Sequence, residues 1–133
     1  MAERVDITAT TSLRLWSHDN FGEDLLINPR DGAVYYWDAS VSNAFTTRAV
    51  DLVDISGASD VPTIAKQIMV SDNSRHVIAF GTNTINTAVQ DSLLIRFSDQ
   101  ESFLDWTPKA TNSAGDLRIG SGSNFVRAIE TKR

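Results

Sequence analysis

The chain has 133 residues, 41% hydrophobic and 22% charged, which are ordinary values for a globular protein, and we predict one domain over residues 1–133. The absence of cysteine excludes disulfides and thiolate metal sites, and the formal net charge of -5 argues against a dedicated nucleic-acid groove. No apolar stretch approaches the roughly 18 residues of a membrane span, and the charged first residues predict no signal peptide.

The first third of the chain predicts strands joined by polar turns. Residues 5–16 end in alternating polar and apolar side chains, which indicates a half-buried strand, and residues 17–23 have the composition of a turn. Residues 24–28 and 33–37 are two predicted strands. The Pro-Arg-Asp-Gly sequence at 29–32 is typical of a tight turn in which glycine supplies the positive φ. The segment 24–37 is therefore the clearest hairpin in the sequence.

The middle of the chain predicts a second hairpin. Residues 49–55 are apolar enough for a strand, and 58–62 predict a loop. Residues 64–70 fit either a helix or a strand. The turn-forming residues at 71–74 lead directly into the apolar run at 75–80, which favours a strand at 66–70 and a hairpin over 66–80.

The last third predicts further short strands. A polar loop at 82–90 precedes a strand at 92–97, which a polar turn at 98–101 and then Trp106 follow. Two more strands are expected at 117–119 and 124–129. The total is about nine or ten short strands without an amphipathic helix, so the predicted fold class is all-β with short antiparallel strands.

Two parts of the sequence resemble each other. In residues 24–40 and again in 76–100, an apolar strand is followed by a second strand that ends in an aromatic residue and then an aspartate. The offset of roughly 50–60 residues is close to the length of a β-propeller blade. Two to three such blades do not close a propeller ring, which needs at least about four. The chain is therefore expected to form a sandwich, one arc of a larger ring, or a ring made of several copies.

Several ordered segments resemble a known family, the tail tubular or nozzle-type structural proteins of short-tailed bacteriophages. The segments are WSHDNFGEDLL at 16–26, DGAVYYWD at 31–38, HVIAF at 76–80, LIRFSDQE at 94–101, DWTP at 105–108 and TNSAGD at 111–116. The resemblance extends from about Leu13 to Ile129. It implies β-propeller blades in a subunit of the phage tail, where such subunits form a ring around the channel through which DNA leaves the capsid.

Members of this family are several times longer, so the resemblance implies a fragment or a stand-alone piece of such a propeller. The implied function is a non-catalytic structural or interaction module of the virion tail, made in the host cytoplasm. The implied partners are further copies of the chain or other virion proteins, with no specific nucleic acid and no membrane span.

Four aromatic residues are the candidate binding residues: Tyr35, Tyr36, Trp37 and Trp106. Strand alternation places Tyr35 and Trp37 on one face of their strand and Tyr36 on the other. Packing between sheets is the alternative role, and it is the favoured one for Trp37 and Trp106. Where these rings are exposed, they favour the second function that we consider, a module that binds a carbohydrate or a receptor.

The sequence contains no recognisable catalytic or metal-binding motif, and we predict no enzyme, no cofactor and no metal site. A third alternative is a glycosidase, in which Asp99, Glu101 and Asp105 would supply two carboxyl groups about 5–9 Å apart in one cleft. Turn capping is the favoured role for Asp99.

Overall fold

The computed structural model describes residues 15–131, which form two four-stranded antiparallel sheets. Sheet 1 consists of β1 (Trp16–Phe21), β2 (Asp24–Pro29), β3 (Tyr35–Trp37) and β4 (Val50–Asp51), and sheet 2 of β5 (Gln67–Val70), β6 (Val77–Phe80), β7 (Leu94–Phe97) and β8 (Gly115–Arg118). The only helical element in this range is a single 3-10 turn at Leu52–Asp54. The predicted all-β class is confirmed, and both sheets are open.

Each sheet is a meander in which strands that are consecutive in the chain are also neighbours in the sheet. Both predicted hairpins are present, since β2 pairs with β3 and β5 pairs with β6. The two segments that resemble each other fall on the second and third strands of their respective sheets. The repeat in the sequence therefore corresponds to the same position in two similar sheets.

The hairpin turn of sheet 1 differs in one respect from its prediction. The residue with positive φ is Asp31, at 61°, rather than Gly32. Gly32 is required for a different reason, because a Cβ atom there would lie 3.0 Å from Cγ of Pro29 and 3.1 Å from its carbonyl oxygen. The turn thus depends on the close approach of Pro29 to the Gly32 backbone. It also depends on the ability of Asp31 to adopt a left-handed backbone conformation.

The prediction for residues 17–23 is wrong. β1 extends through Ser17, Asp19 and Phe21, and the turn is limited to Gly22 and Glu23. Pairing with β2 along the whole strand overrides the turn propensity of these polar residues. Of the strand predicted at 5–16, residues 5–14 lie outside the described part of the chain.

Three other strand predictions need correction. The strand predicted at 49–55 is limited to β4, since the 3-10 turn follows at once. β8 lies at Gly115–Arg118 instead of 117–119, because it pairs in register with β7. The strand predicted at 124–129 is wrong, since this segment has no backbone ladder with another described residue.

The two sheets meet along their first strands, β1 and β5, which run in the same direction. The Ser17 hydroxyl oxygen accepts a hydrogen bond from the backbone N–H of Ile68 at 3.1 Å. Two residues further along both strands, the Asp19 carboxylate accepts one from the N–H of Val70 at 2.8 Å. These side chains satisfy donors on the edge of β5, which would otherwise be unpaired within the protein.

The core lies between the facing sides of the two sheets, and Trp106 is at its centre. Trp106 is 1% exposed and belongs to one cluster with Leu26 of sheet 1, with Val34 just before β3, and with Ile68 and Val77 of sheet 2. Its loop is held by two backbone hydrogen bonds to Ser59. The predicted position of Trp106 between the sheets is confirmed.

Lys66 and Asp31 connect the turn of sheet 1 to the start of sheet 2. Lys66 Nζ lies 2.9 Å from the Asp31 carboxylate, which also accepts a hydrogen bond from the Gln90 side chain. Burial raises the pKa of Asp31, but the hydrogen bonds from Gln90 and Lys66 outweigh it and hold this pKa below its usual value. The ionised carboxylate is therefore favoured by folding.

The pKa of Asp31 is lower in the folded protein than in the unfolded chain. Its carboxylate therefore contributes fully to stability above the unfolded pKa, and this contribution is lost as the pH falls through the folded pKa. We expect Asp31→Asn, which tolerates the same φ, to cost about 0.5–1 kcal/mol at neutral pH, since the carboxylate is about half exposed. Urea unfolding near pH 7 and again well below pH 4 measures this difference. A difference that does not shrink in acid would contradict this role of Asp31.

Gly81 packs directly on the Lys66 stem. Its φ is +61°, and a Cβ atom there would lie 2.8 Å from Cδ and 2.9 Å from Cγ of Lys66. We expect Gly81→Ala to lower the free energy of unfolding by about 2 kcal/mol, from backbone strain and displacement of this stem. Gly120→Ala is the control, because nothing lies within 4 Å of its Cβ position. Equal urea midpoints for the two variants would contradict this packing.

Candidate interaction surfaces

Sheet 1 has an outer face, on the side turned away from sheet 2, that is apolar over β2 and β3. Alternation along the paired strands places five large apolar side chains there, Trp16, Leu25, Ile27, Tyr35 and Trp37, and β1 adds the exposed polar side chains of His18 and Asn20. Leu25 lies opposite Trp37 and Ile27 opposite Tyr35, and all four are half-buried. Trp16 is 59% exposed. We call the five apolar residues the aromatic face.

Trp37 also fixes the long loop that follows β3. Its indole N–H donates to the carbonyl oxygens of Ala44 at 3.3 Å and Thr47 at 3.0 Å. Phe45, between these two residues, is fully exposed. At the start of the loop, hydrogen bonds from the Ser40 hydroxyl and backbone N–H lower the pKa of Asp38. The loop therefore holds an exposed aromatic ring beside the aromatic face on an ordered backbone.

Tyr36 and Trp106 lie on the opposite side of sheet 1, in contact with Phe103. The Tyr36 ring stacks on the Phe103 ring with centroids 4.1 Å apart, and its hydroxyl donates to the Asp24 carboxylate. Burial first, and then this hydrogen bond, raise the pKa of Tyr36. The Trp106 indole N–H donates to the Phe103 carbonyl oxygen at 2.9 Å. Both polar groups are thus satisfied inside the protein.

The four candidate binding residues therefore separate into two pairs. The structure brings Tyr35 and Trp37 together on the aromatic face, beside Trp16. It places Tyr36 and Trp106 between the sheets. The packing between the sheets that the sequence favours for Trp37 is wrong, because Trp37 shares the face of Leu25. A binding role for Tyr35 and Trp37 stays a prediction.

Sheet 2 carries a second apolar outer face that was not predicted. It is formed by Met69, Ile78, Phe80, Ile95, Phe97 and Leu117, which we call the aliphatic face. Phe97 packs across Gly115, where a Cβ atom would lie 2.8 Å from Cζ of the ring. Leu117, on the edge strand, is 59% exposed.

The sequence did contain a signal for the aliphatic face. The strands at Val77–Phe80 and Leu94–Phe97 are apolar at odd and at even positions, and so on both of their faces, with Arg96 as the exception. Such continuous runs are typical of strands that are covered on both faces. A sheet with one solvated face shows alternation instead.

The carboxylates of the 98–105 region have structural partners. Asp99 accepts hydrogen bonds from the backbone N–H groups of Ser113 and Gln100 and from the Ser113 hydroxyl. The bonds from Ser113, the backbone bond first, lower the pKa of Asp99. Glu101 lies 3.7 Å from Arg75, and Asp105 accepts from the Asn112 amide. Asp99 therefore caps its turn, as the sequence favours.

Within residues 15–131, no three His, Asp or Glu side chains lie close enough together to hold a metal ion. The described residues also include no helix with the length and apolarity of a membrane span. Comparisons with family models, with curated proteins and with solved structures find no match to the chain.

Proposed function

We propose that the chain is a non-catalytic structural module of a bacteriophage tail, made in the host cytoplasm and functioning in the virion. The observation that carries this proposal is that the aromatic face and the aliphatic face both point away from the core. A protein with only two packed sheets normally has polar outer faces, because each sheet then has one solvated side. Two apolar outer faces favour sheets that are covered on both sides.

The arrangement of the strands supports propeller-like stacking. β1 and β5 run in the same direction side by side, as the hydrogen bonds of Ser17 and Asp19 require. From these two strands, both sheets proceed outward in chain order. First strands that lie side by side and run in the same direction are also expected of successive blades of a propeller, which supports the proposed architecture. The family resemblance leads to the same architecture.

Two blade-like sheets do not close a ring, which favours covering of the outer faces by other protein. Further copies of the chain or other virion proteins are the proposed partners, and we propose no specific nucleic acid and no membrane span among them. Size-exclusion chromatography with light scattering tests this over a concentration series. We expect a species larger than the 14.6 kDa monomer. A folded chain that stays monomeric throughout would contradict self-association.

The second candidate function is a module that binds a carbohydrate or a receptor. It is favoured by the grouping of Trp16, Tyr35 and Trp37 on one partly exposed face. Aromatic rings of this kind offer large apolar area with polar edges. A glycan array with the wild-type chain and with Trp16→Ala tests it. Saturable binding that Trp16→Ala removes would support it, and an array without hits would exclude carbohydrate binding.

A further inference from the structure

A cleft of about 550 Å³ lies between β1, β5 and residues 126–130, and its volume is typical of a small-molecule site. Arg30 joins two of these walls, since its backbone N–H donates to the Leu15 carbonyl oxygen at 2.8 Å and its guanidinium donates to the Val126 carbonyl oxygen at 3.2 Å. The Gln67 side chain on β5 exchanges two hydrogen bonds with the backbone of residues 126–130. Hydrogen bonds therefore fix the walls of the cleft.

Exposed apolar side chains are concentrated at this cleft. Four of its lining residues are large, apolar and more than half exposed: Leu15, Trp16, Val126 and Ile129. Only ten large apolar residues are exposed in the described part of the chain, so this cleft has four of them. A single exposed apolar side chain is ordinary, whereas a group of them marks a binding surface. Trp16 also offers the flat face of an indole ring for stacking.

The charged side chains of the cleft favour an acidic ligand. Three cationic and two acidic residues line it, on a chain whose net charge is -5. Both carboxylates, those of Asp19 and Glu130, already accept a hydrogen bond from a backbone N–H. Arg127, by contrast, is exposed, and its guanidinium forms no hydrogen bond or ion pair with another described residue. A carboxylate of a ligand can therefore pair with it.

His18 lies beside Trp16 at the cleft. The two residues are two positions apart on β1, so their side chains project from the same face about 7 Å apart. A neutral imidazole both donates and accepts hydrogen bonds, which suits hydroxyl groups. A flat apolar ring beside such a group favours a sugar. It disfavours a protein partner, because charged residues are depleted at the centre of protein interfaces.

We propose that this cleft binds an acidic carbohydrate, a sugar unit that carries one carboxylate. One face of the sugar ring stacks on Trp16, its hydroxyl groups bond to His18, and its carboxylate pairs with Arg127. A single negative charge fits better than a doubly charged phosphate, because Asp19 and Glu130 line the same cleft. The proposal rests on the second candidate function, carbohydrate binding, and it names the site and the class of sugar.

Nuclear magnetic resonance titrations of the complete, isotope-labelled chain test the proposal with methyl glucuronide and its neutral counterpart, methyl glucoside. The indole N–H signal of Trp16, identified by its loss in Trp16→Phe, reports binding. In the wild type we expect saturable shifts and about tenfold tighter binding of the glucuronide, from its charged hydrogen bonds. Arg127→Gln should lower glucuronide binding to the level of the glucoside and leave the glucoside unchanged. Arg118→Gln, which removes an exposed arginine outside the cleft, is the matched control and should bind like the wild type.

Equal affinity of the wild type for the two sugars would overturn the proposal, as would an Arg127→Gln variant that binds the glucuronide like the wild type. Tighter binding of a nucleoside monophosphate than of the glucuronide would overturn it too. The glycan array separates this site from carbohydrate binding in general. Hits confined to neutral glycans, removed by Trp16→Ala, would support the candidate function and contradict the acidic ligand. No hits and no shifts would exclude both.

Discussion

Trp106→Ala is expected to lower the free energy of unfolding by about 4 kcal/mol, a large part of the stability of a domain of this size. The side chain is 1% exposed and touches core residues from both sheets. Its removal leaves a cavity in the core between the two sheets. The Phe103 carbonyl oxygen also loses its donor, which adds to the cost.

Trp16→Ala is the matched control for this variant. It removes the same side chain, but from the aromatic face, where the ring is 59% exposed. We expect this change to cost less than about 1 kcal/mol in the isolated chain. Urea unfolding followed by circular dichroism measures both variants. Equal losses would show that Trp106 does not hold the two sheets together.

Arg96→Ala is expected to have the second largest effect, a loss of about 3 kcal/mol. Arg96 is 1% exposed, and its guanidinium donates to the carbonyl oxygens of Asp60 and of Asn83. Its Cζ atom lies 5.9 Å from the centroid of the Trp106 ring. Burial lowers the pKa of Arg96, although Asp60 and Asp116 oppose this shift. Truncation removes the donor from the buried carbonyl oxygen of Asn83 and from the partly buried one of Asp60, and it leaves a void beside Trp106.

Arg96→Met separates the volume of this side chain from its hydrogen bonds. Methionine fills most of the space and removes a charge that is costly to bury, so we expect about half of the loss seen with alanine. Arg118→Ala is the control for loss of an exposed arginine that pairs with Asp91, and we expect less than about 1 kcal/mol there. If Arg96→Ala cost no more than Arg118→Ala, the buried hydrogen bonds would contribute little.

Local patterns were sufficient to predict the hairpins. The Pro-Arg-Asp-Gly turn and the apolar runs on either side of it are contained within residues 24–37, and β2 and β3 follow from them. The same holds for β5 and β6. The residue that takes positive φ was not predicted, because Asp31 and Gly32 both accept special backbone geometry and only the contact with Pro29 distinguishes them.

Features that depend on distant partners were missed. Ser17 and Asp19 look like turn residues until the N–H groups of β5 are placed beside them. Arg96 stands in an apolar run, and nothing near it in the sequence indicates that its guanidinium reaches Asp60 and Asn83. These interactions join residues from separate sheets or from distant loops, so no window of sequence contains both partners.

Residues 124–129 show the opposite error. Their apolar residues predict a strand, and the segment does contact β5 through Gln67. It lacks a backbone ladder because Gln67 makes the contact through its side chain. An apolar segment of this kind therefore does not by itself predict strand pairing, which depends on what lies beside it.

The central claim, that the outer faces of the two sheets are interfaces, is tested most directly by sedimentation velocity on three chains. They are the wild type, Leu117→Asp on the aliphatic face, and Val89→Asp, which changes an equally apolar, exposed residue in a loop. Up to about 0.1 mM, above the dissociation constant of a weak specific interface, we expect the wild type and Val89→Asp to form the same assembly. Leu117→Asp should sediment as a folded monomer. Three monomers, or three identical assemblies, would contradict the claim.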